Sequence, residues 1–427
     1  MGIILFSSFV IFLILGMPVS FSLAISTLSA LYLDSDINLI TIVQRMYTSS
    51  SSFTLVAIPF FILAGGFMEN GGISRRLVRF ASCMVGHIKG GLAFASILGA
   101  MFFAGISGAA AADTAAVGSI LIPAMIKKGY GKDIATSVMA TAGSIGIIIP
   151  PSIPMILLGV TANISIGALF AGGILPGILM GGVLMVASYM FAISRNLQAE
   201  PRVNLKEFWI SFKDSILALM TMVIIVGGIS GGIFTPSEAS VVAAIYAFIV
   251  GFFVYKELKL SDLPKILLYT ASTTGVIVLC IAAASSFGWV LAAEGIPGKI
   301  ASLIFSLSSN KWVILFLVNA LMLFMGTFLD ITPIIIIVIP IVFPIIMKLG
   351  INPVHFGIMT IVNMAIGQCT PPVGITLFVS TGISQASLGE VLGTYLKYIF
   401  AMFIVLALIT FIPAISTFIP TAMGYIK

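Results

Sequence analysis

Four short segments combine residue types that can bind a cation or an anion inside an apolar environment. Two are clusters of small and polar residues, 105–114 and 326–333, and two carry adjacent prolines, 146–152 and 367–374. Backbone carbonyls and hydroxyls freed at such places can ligate Na⁺ when they line a protein cavity. The N-termini of half-helices favour anions. These segments therefore indicate binding of Na⁺ and of an anion.

The first cluster reads Gly105-Ile106-Ser107-Gly108, continues through Ala109–Ala112 and ends at Asp113-Thr114. Its apolar arms, 90–104 and 114–126, are each about half a bilayer long as helices. The pattern predicts a re-entrant hairpin with a tip of small residues. A patch of small residues that lets two helices pack closely is the alternative.

The second cluster, 326–333, lies between the apolar arms 312–325 and 334–347. Its Asp330 is an ionisable residue in a deeply apolar stretch, which makes it a functional candidate. The alternative is an N-cap for the return arm, with Pro333 in the first turn. Both roles are compatible, and the same pair of interpretations applies to Asp113.

The two proline pairs, Pro150-Pro151 and Pro371-Pro372, each remove two N–H donors and cannot lie inside a regular helix. Each helix must break there and expose carbonyls beside a glycine and a Ser or Thr hydroxyl. A simple kink is the alternative, but it does not explain why the same break recurs later in the chain.

The elements that carry these segments are membrane helices. Of 427 residues, 60% are hydrophobic and only 8% are charged, and the mean hydropathy is +1.22. A soluble chain carries about a quarter charged residues. The apolar runs recur at about 20 residues without the alternation of a membrane barrel, which predicts an all-α polytopic membrane protein.

Other classes of function lack their signals. The net charge of +6 indicates membrane topology and not nucleic-acid binding. Spacing rules out a disulfide framework, and we expect no transition metal and no organic cofactor. No P-loop for ATP is present. The isolated residues concerned are Cys83, Cys280, Cys369, His87 and His355.

An internal repeat relates the two halves of the chain at an offset of 221 residues. Between residues 101 and 151 the match needs no gap, and it includes both the Pro-Pro and the Ile-Gly steps. Weaker matches at slightly different offsets pair Pro18 with Pro236 and Gly72 with Gly295. The matches at the constant offset are Met101/Met322, Gly105/Gly326, Pro123/Pro344, Lys127/Lys348, Gly129/Gly350, Ile145-Gly146/Ile366-Gly367 and Pro150-Pro151/Pro371-Pro372.

Charge indicates that the two repeats are inverted. With the N-terminus outside, five loops lie inside and hold 15 of the 20 Lys and Arg residues: 70–89, 127–133, 195–213, 256–265 and 383–397. The matched Lys127 and Lys348 loops then lie on opposite sides of the membrane. The other cations are Arg45, Lys299, Lys311, Lys348 and Lys427.

The repeats define the domain organisation. Amphipathic segments at 37–47 and 204–214 are too short to span and are predicted to lie in the interface. We expect a first inverted repeat at 1–195 and a second at 215–427, joined by an interfacial helix at 196–214. The finer division is scaffold 1–85, hairpin and broken helix 86–165, scaffold 215–308, and hairpin and broken helix 309–390.

The motifs ISGAAAAD, GTFLD, GIIIPPS and GQCTPPVG, in this order, resemble the large membrane subunit of the tripartite ATP-independent periplasmic (TRAP) transporters. The resemblance covers essentially the whole chain. It implies two inverted repeats, each with scaffold helices, a re-entrant hairpin and a discontinuous helix, that move as an elevator. It also implies Na⁺-driven import of organic anions across the bacterial inner membrane.

The resemblance further implies two partners, a small four-helix membrane subunit and a periplasmic substrate-binding protein. Some members fuse the small subunit to the N-terminus, whereas this chain begins at its first helix, so we expect a separate subunit and a periplasmic N-terminus.

By position, the resemblance implies at least two Na⁺ sites between each tip and its neighbouring break, with the substrate between them. The second tip has Thr327-Phe328 where the first has Ser107-Gly108, so the sites are not equivalent. The first Na⁺ site would use Gly105, Ser107, Gly146 and Ile149, and the second Gly326, Thr327, Gly367 and Thr370. The substrate would contact Ser107, Ser152, Asp330, Pro150, Pro151, Pro371 and Pro372.

We therefore expect a subunit of a Na⁺-coupled symporter for a carboxylated solute and not an enzyme. Sialic acid (N-acetylneuraminate) is favoured because Asp330 and the hydroxyl-rich tips suit a polyhydroxylated ligand, and a C4-dicarboxylate comes next. The alternatives are a stand-alone divalent-anion/Na⁺ symporter, a passive channel, and an intramembrane aspartyl protease with Asp113 and Asp330 as its dyad.

Overall fold

A computed structural model describes residues 1–34, 37–307 and 310–426. Within these residues the chain is helical and contains no strand. The boundary predicted at 308/309 and Lys427 lie outside the described residues. The first repeat contains α1 (Gly2–Ile14), α2 (Val19–Asp34), α3 (Ile40–Ser50), α4 (Ala57–Asn70), α5 (Ile73–Val85), α6 (Gly91–Ser107), α7 (Ala110–Lys127), α8 (Lys132–Gly143), α9 (Ile153–Ala162) and α10 (Ile166–Ser194).

The second half of the chain continues with eleven helices in the described residues. It contains α11 (Leu205–Met222), α12 (Gly228–Ser230), α13 (Pro236–Ile249), α14 (Leu263–Ala293), α15 (Ile296–Leu307), α16 (Lys311–Gly326), α17 (Ile331–Lys348), α18 (Pro353–Gly367), α19 (Ile375–Ser384), α20 (Leu388–Phe411) and α21 (Ala414–Ala422).

Eight helices of the described chain are long and apolar enough to cross a membrane, which confirms the polytopic all-α class. Several others, including the arms α6 and α16 and the half-helices α9 and α19, are shorter. The eight candidate spans are Phe53–Asn70, Ala110–Lys127, Ile166–Ser194, Leu205–Ser230, Pro236–Val254, Leu260–Ala293, Ile331–Lys348 and Leu388–Phe411.

Local sequence signals explain where the helices begin. The Ser152 hydroxyl caps α9 by accepting from the Met155 N–H at 3.3 Å. Asn352 caps α18 ahead of Pro353 at its first position, and Thr235 and Glu238 form a capping box on α13. These caps accept hydrogen bonds from N–H groups that have no partner inside their helices. Such groups are costly to leave unpaired in a membrane.

The packing of α10 and α20 shows that the repeats are inverted. These helices occupy the same place in the two repeats. Phe191, near the end of α10, stacks on Tyr398, in the middle of α20, with ring centroids 5.2 Å apart. Gly172, near the start of α10, lies against Ser416, just beyond the end of α20. Equivalent helices therefore run antiparallel.

The two broken helices begin at opposite ends of α10. Asp133, at the start of α8, pairs with Arg195 at the C-terminal end of α10, at 3.0 Å. Val354, at the start of α18, lies against Gly172 near the N-terminal end of α10. Each return arm also packs on the second half of the other repeat's broken helix, α7 on α19 and α17 on α9. Such reciprocal packing is what a two-fold relation between the repeats requires.

All five loops that we predicted to lie inside meet at one end of the molecule. Ion pairs and hydrogen bonds connect them in series, so the charge-based grouping of these loops agrees with the fold. The connecting contacts are Arg76–Glu257 at 2.7 Å, the Glu200 N–H to the Gly86 carbonyl at 3.0 Å, Lys128–Glu200 at 3.1 Å, and Lys132 Nζ to the Gln385 carbonyl at 2.9 Å.

Two predicted boundaries differ from the structure. The first hairpin turn is only Gly108-Ala109, because the small residues on both sides remain helical in α6 and α7. The connecting segment does not end as a separate helix at 214, because α11 runs on through a π-helical turn, 223–227, into α12. Its apolar residues beyond 214 favour continuation of the helix.

Candidate ion and solute sites

The tip of the first hairpin lies directly on the first helix break. Gly108 adopts φ +64°, and a Cβ there would lie 2.7 Å from the Pro151 carbonyl oxygen. The Ile153 N–H points to the Gly108 carbonyl at 3.4 Å. Only glycine tolerates both this backbone conformation and this close approach. Gly108 therefore allows the tip to pack directly against the break.

Asp113 is the fully buried carboxylate of this tip. The Ser107 hydroxyl donates a hydrogen bond to its Oδ1. Its Oδ2 has no hydrogen-bond partner among the described residues. Gly146 faces that oxygen so closely that a Cβ at Gly146 would overlap it. One carboxylate oxygen is therefore held, unpaired, between the first hairpin and the first break.

A buried carboxylate with a free oxygen fits a hard cation. Leaving such a charge unpaired in a low-dielectric interior is costly, and intramembrane acids pair with a cation or with a polar group. Na⁺ prefers carboxylate, carbonyl and hydroxyl oxygens. The first tip and the first break together supply all three types. The residues present here suit Na⁺.

The residues predicted for the first Na⁺ site divide into two groups. Ser107 and Gly146 meet through Asp113. Gly105 faces Met222 of α11, and the side chain of Ile149 faces Gly177 of α10, so only their backbone groups are available to an ion. Asp113 was not among the predicted ligands, although an ionisable residue in an apolar arm was the signal that could have added it.

At the second tip, two glycines let the hairpin and the break touch. A Cβ on Gly367 would lie 2.9 Å from the Gly326 Cα. The Val373 N–H donates to the Thr327 carbonyl at 3.2 Å. The Thr327 and Thr370 hydroxyls donate at 2.8 Å to carbonyls of their own helices and retain free lone pairs. The four residues predicted for the second site therefore lie around one hairpin-to-break contact.

Asp330 connects the second tip to the second break by a different bond. Its Oδ1 accepts from Gln368 Nε2 at 3.0 Å, and it makes no side-chain capping bond although it holds the N-cap position of α17. The side chain is exposed, unlike that of Asp113. The Gln368 Oε1 has no partner in the described chain. Gln368 is a polar group of this site that the sequence analysis missed.

The two proline pairs are similar in backbone but differ in surroundings. Both Pro-Pro peptide bonds are cis. At the first break Pro150, Pro151 and Ser152 are buried, and the Ser152 hydroxyl donates to the Ile147 carbonyl at 2.7 Å. At the second break Pro372 is exposed. The second site is therefore the more open of the two.

A cleft of about 260 Å³ separates the first tip from two scaffold helices. Of the predicted substrate residues, Ser107 is the one in the described chain that lines it. Four larger cavities, of about 660, 470, 380 and 300 Å³, are lined by none of the predicted site residues in the described chain. The cleft is lined by Ile62, Gly65, Gly66, Glu69, Asn70, Phe103, Ser107, Ala109, Ala112, Ile153, Lys265, Ile266, Tyr269 and Thr273.

The hydrogen bonds separate the two membrane aspartates. Asp113 bonds Ser107, and Asp330 bonds Gln368. A protease dyad needs two carboxylates that share a proton. In the described chain no hydrogen bond joins these two acids.

Two inverted repeats that each join a re-entrant hairpin to a Pro-Pro-broken helix define a fold of secondary transporters. The family model described as "Tripartite ATP-independent periplasmic transporter, DctM component" matches residues 6–415. The chain belongs to this family.

Two relatives agree with this assignment, and a solved structure shares the fold. The chain is 42% identical to the C4-dicarboxylate TRAP transporter large permease protein DctM of Pseudomonas aeruginosa, over 94% of each chain. It is 38% identical to the sialic acid TRAP transporter large permease protein SiaM of Vibrio cholerae, over 96% of each. The YdaH transporter of Alcanivorax borkumensis shares the fold, with a TM-score of 0.61 at 16% identity, over 94% of this chain and 97% of that one.

Proposed function

We propose that this permease couples the entry of Na⁺ to the import of a carboxylated solute. The observation that carries the proposal is the buried Asp113 Oδ2, which lies unpaired between the first hairpin and the first break. A Na⁺ ion there would neutralise the carboxylate and hold the tip against the break. At least one more ion would bind between Gly326, Thr327, Gly367 and Thr370.

Ion binding and anion binding support one another in this arrangement. The solute would lie between the tips, near Ser107, Ser152, Asp330 and the two proline pairs. Helices α9 and α19 begin directly after these proline pairs. Helix N-termini favour negative charge, and nearby Na⁺ adds to that preference. The membrane potential contributes about 2.3 kcal/mol per charge per 100 mV to inward movement of the cations.

The packing favours movement of both hairpins and both broken helices as one body. The reciprocal contacts of α7 with α19 and of α17 with α9 tie these elements together, while α4 and α14 face the tips from outside. We propose that this body moves against the scaffold as an elevator. No enzymatic step belongs to this mechanism.

Both candidate solutes carry a carboxylate, and the similar relatives named for them leave both in contention. Sialic acid and a C4-dicarboxylate are therefore the two solutes to offer. The proposed partners are a small membrane subunit and a periplasmic binding protein, in a bacterial inner membrane with the N-terminus of the permease in the periplasm.

Uptake into proteoliposomes tests the proposal. The permease and its small subunit are reconstituted, and labelled N-acetylneuraminate or succinate is offered under an inward Na⁺ gradient, with and without the binding protein. We expect uptake of one solute that requires both Na⁺ and the binding protein. Na⁺-driven uptake without the binding protein would instead establish a stand-alone symporter. Uptake that is the same with and without Na⁺ would overturn the proposed coupling of Na⁺ entry to solute import.

A further inference from the structure

The cleft beside the first tip ends in two charged residues of opposite sign. Glu69 and Lys265 are the only charged side chains among the described residues that line it. Both are exposed, and neither forms an ion pair within 4 Å in the described chain. Nearby charges at the same end, such as Arg76 and Glu257, are paired. A cation and a carboxylate therefore lie near each other at one opening without a direct ion pair, where both can act on a charged solute.

A line of polar groups leads from Lys265 to the tip. Lys265, Tyr269 and Thr273 are spaced by four residues, so they lie on one face of α14 over about 12 Å. On the other wall, Gly65 of α4 contacts Ser107, and Gly66 is so close to Ile266 that a Cβ would be 2.8 Å away. Glu69 and Lys265 therefore line the same cleft as Ser107, and α4 and α14 are in close contact beside the two charges.

We propose that Lys265 and Glu69 form a charge-selective mouth on the solute path, at the end of the molecule that carries the inside loops. Lys265 attracts the solute carboxylate, and Glu69 beside it limits that attraction so that the anion passes and is not retained. A low-dielectric cleft focuses the field of a single charge and changes the local ion concentration accordingly. This inference rests on the proposed function in one respect, namely that the solute is an anion.

Removing Lys265 and removing Glu69 should have opposite effects on the relative access of anions and cations to the cleft. Thiol-reactive reagents of opposite charge measure this access. A Thr273→Cys variant places a thiol within the cleft, and its rates of modification by an anionic sulfonatoethyl and a cationic trimethylammonioethyl methanethiosulfonate are compared. Lys265→Gln should lower the anionic-to-cationic rate ratio by about three- to tenfold. Glu69→Gln should raise it by a similar factor.

The controls separate the mouth from general charge effects. Lys213→Gln and Glu390→Gln make the same charge changes on exposed residues outside the cleft and should leave the ratio unchanged. The chain without Thr273→Cys gives the background from native thiols, of which Cys83 is partly exposed. Ala112→Cys, on the hairpin side of the cleft, repeats the measurement should Thr273→Cys fail to fold.

The outcome is independent of the transport assay because the probe needs neither Na⁺ nor solute. Equal ratios in all variants, shifts of the same sign, or thiols in folded variants that neither reagent reaches would overturn the charge-selective mouth. Opposite shifts together with failed uptake would overturn only the proposed function. An anionic-to-cationic rate ratio that is the same in all variants, together with normal uptake, would overturn only this inference.

Discussion

Asp113 and Gly146 carry the ion chemistry that we propose for the first tip. The carboxylate is fully buried, one oxygen is satisfied by Ser107, and the other faces Gly146. A site made in this way has a thermodynamic signature, because the same charge that binds Na⁺ destabilises the ion-free protein. Substitutions at these two positions should therefore separate ion binding from folding.

Asp113→Asn should weaken Na⁺-dependent stabilisation while keeping the fold. The amide retains an acceptor for Ser107 and removes the buried charge, so in Na⁺-free buffer the variant should melt at or above the wild-type temperature. The Na⁺ concentration for half-maximal stabilisation should rise more than about tenfold, or ~1.4 kcal/mol. Thermal unfolding of the purified protein over a Na⁺ series measures both quantities.

Asp214→Asn is the matched control, because Asp214 is exposed and pairs only loosely with Arg79, at 3.9 Å. It should keep the wild-type response to Na⁺. A wild-type Na⁺ response in Asp113→Asn would show that the Asp113 carboxylate is not a ligand of the ion.

Gly146→Ala should disturb the same site from the break side. The added methyl would overlap Asp113 Oδ2, so the carboxylate must turn away from its position. We expect the Na⁺ response to fall as far as in Asp113→Asn, and the double variant to be no worse than either single one, because both act on one interaction. The same Na⁺ titration followed by thermal unfolding applies.

Gly182→Ala is the control, since no atom lies within 4 Å of a Cβ at that position of α10. It should leave ion binding unchanged and stabilise the helix by up to about 1 kcal/mol. Additive losses in the Asp113/Gly146 double variant would place the two residues in separate sites.

The sequence analysis named part of this candidate site for clear reasons. Ser107 and Gly146 came from motif positions, but the repeat places Ile334 opposite Asp113 and Ile147 opposite Gln368. A comparison of the two halves therefore draws attention away from polar groups that occur in one half only. Their roles depend on contacts between the hairpin and the break, which are 33 or more residues apart in the chain.

The hairpins and broken helices were the most predictable elements. Adjacent prolines forbid helix, and both breaks are where the sequence places them, between α8 and α9 and between α18 and α19. The extent of the first tip was not predicted, because small residues were taken as irregular. Alanine is the best helix former, so Ala110–Ala112 begin α7 and leave a two-residue turn.

Gly367→Ala tests whether the second hairpin must touch its break. The Cβ would lie 2.9 Å from a backbone atom, the Gly326 Cα, so rotation of a side chain cannot relieve the clash and α16 must move away from α18. Overpacking of this kind costs about 1–3 kcal/mol. We expect a lower melting temperature both with and without Na⁺, in contrast to Asp113→Asn.

Gly382→Ala on α19 is the control, because its Cβ would meet no atom within 4 Å. Its melting temperature should match or slightly exceed that of the wild type, because alanine favours the helix. An unchanged melting temperature in Gly367→Ala would show that the second tip and break are not in firm contact.

At the scale of the whole molecule, the constant offset of 221 residues and the clustering of Lys and Arg were sufficient to predict inverted repeats. They could not predict the cleft. Its walls come from α4, the first tip and α14, which are separated by up to about 200 residues. Helical periodicity indicates which face of each helix is polar, but not which distant helix faces it.

Lys127→Cys and Lys348→Cys test the orientation of the molecule with a matched pair. The two lysines occupy equivalent positions at the offset of 221 and are exposed at the ends of α7 and α17. Lys127 neighbours Lys128, whose partner Glu200 belongs to the inside loops, whereas α17 ends near the start of α18, at the opposite end of α10.

In intact spheroplasts, a membrane-impermeant maleimide should therefore label Lys348→Cys and leave Lys127→Cys unlabelled. Inverted vesicles should give the reverse pattern, because the loops rich in Lys and Arg remain in the cytoplasm. The chain with native thiols alone provides the background, since Cys280 and Cys369 are buried. The opposite pattern would reverse the N-terminus, and labelling of both variants from one side would contradict the inverted arrangement of α7 and α17.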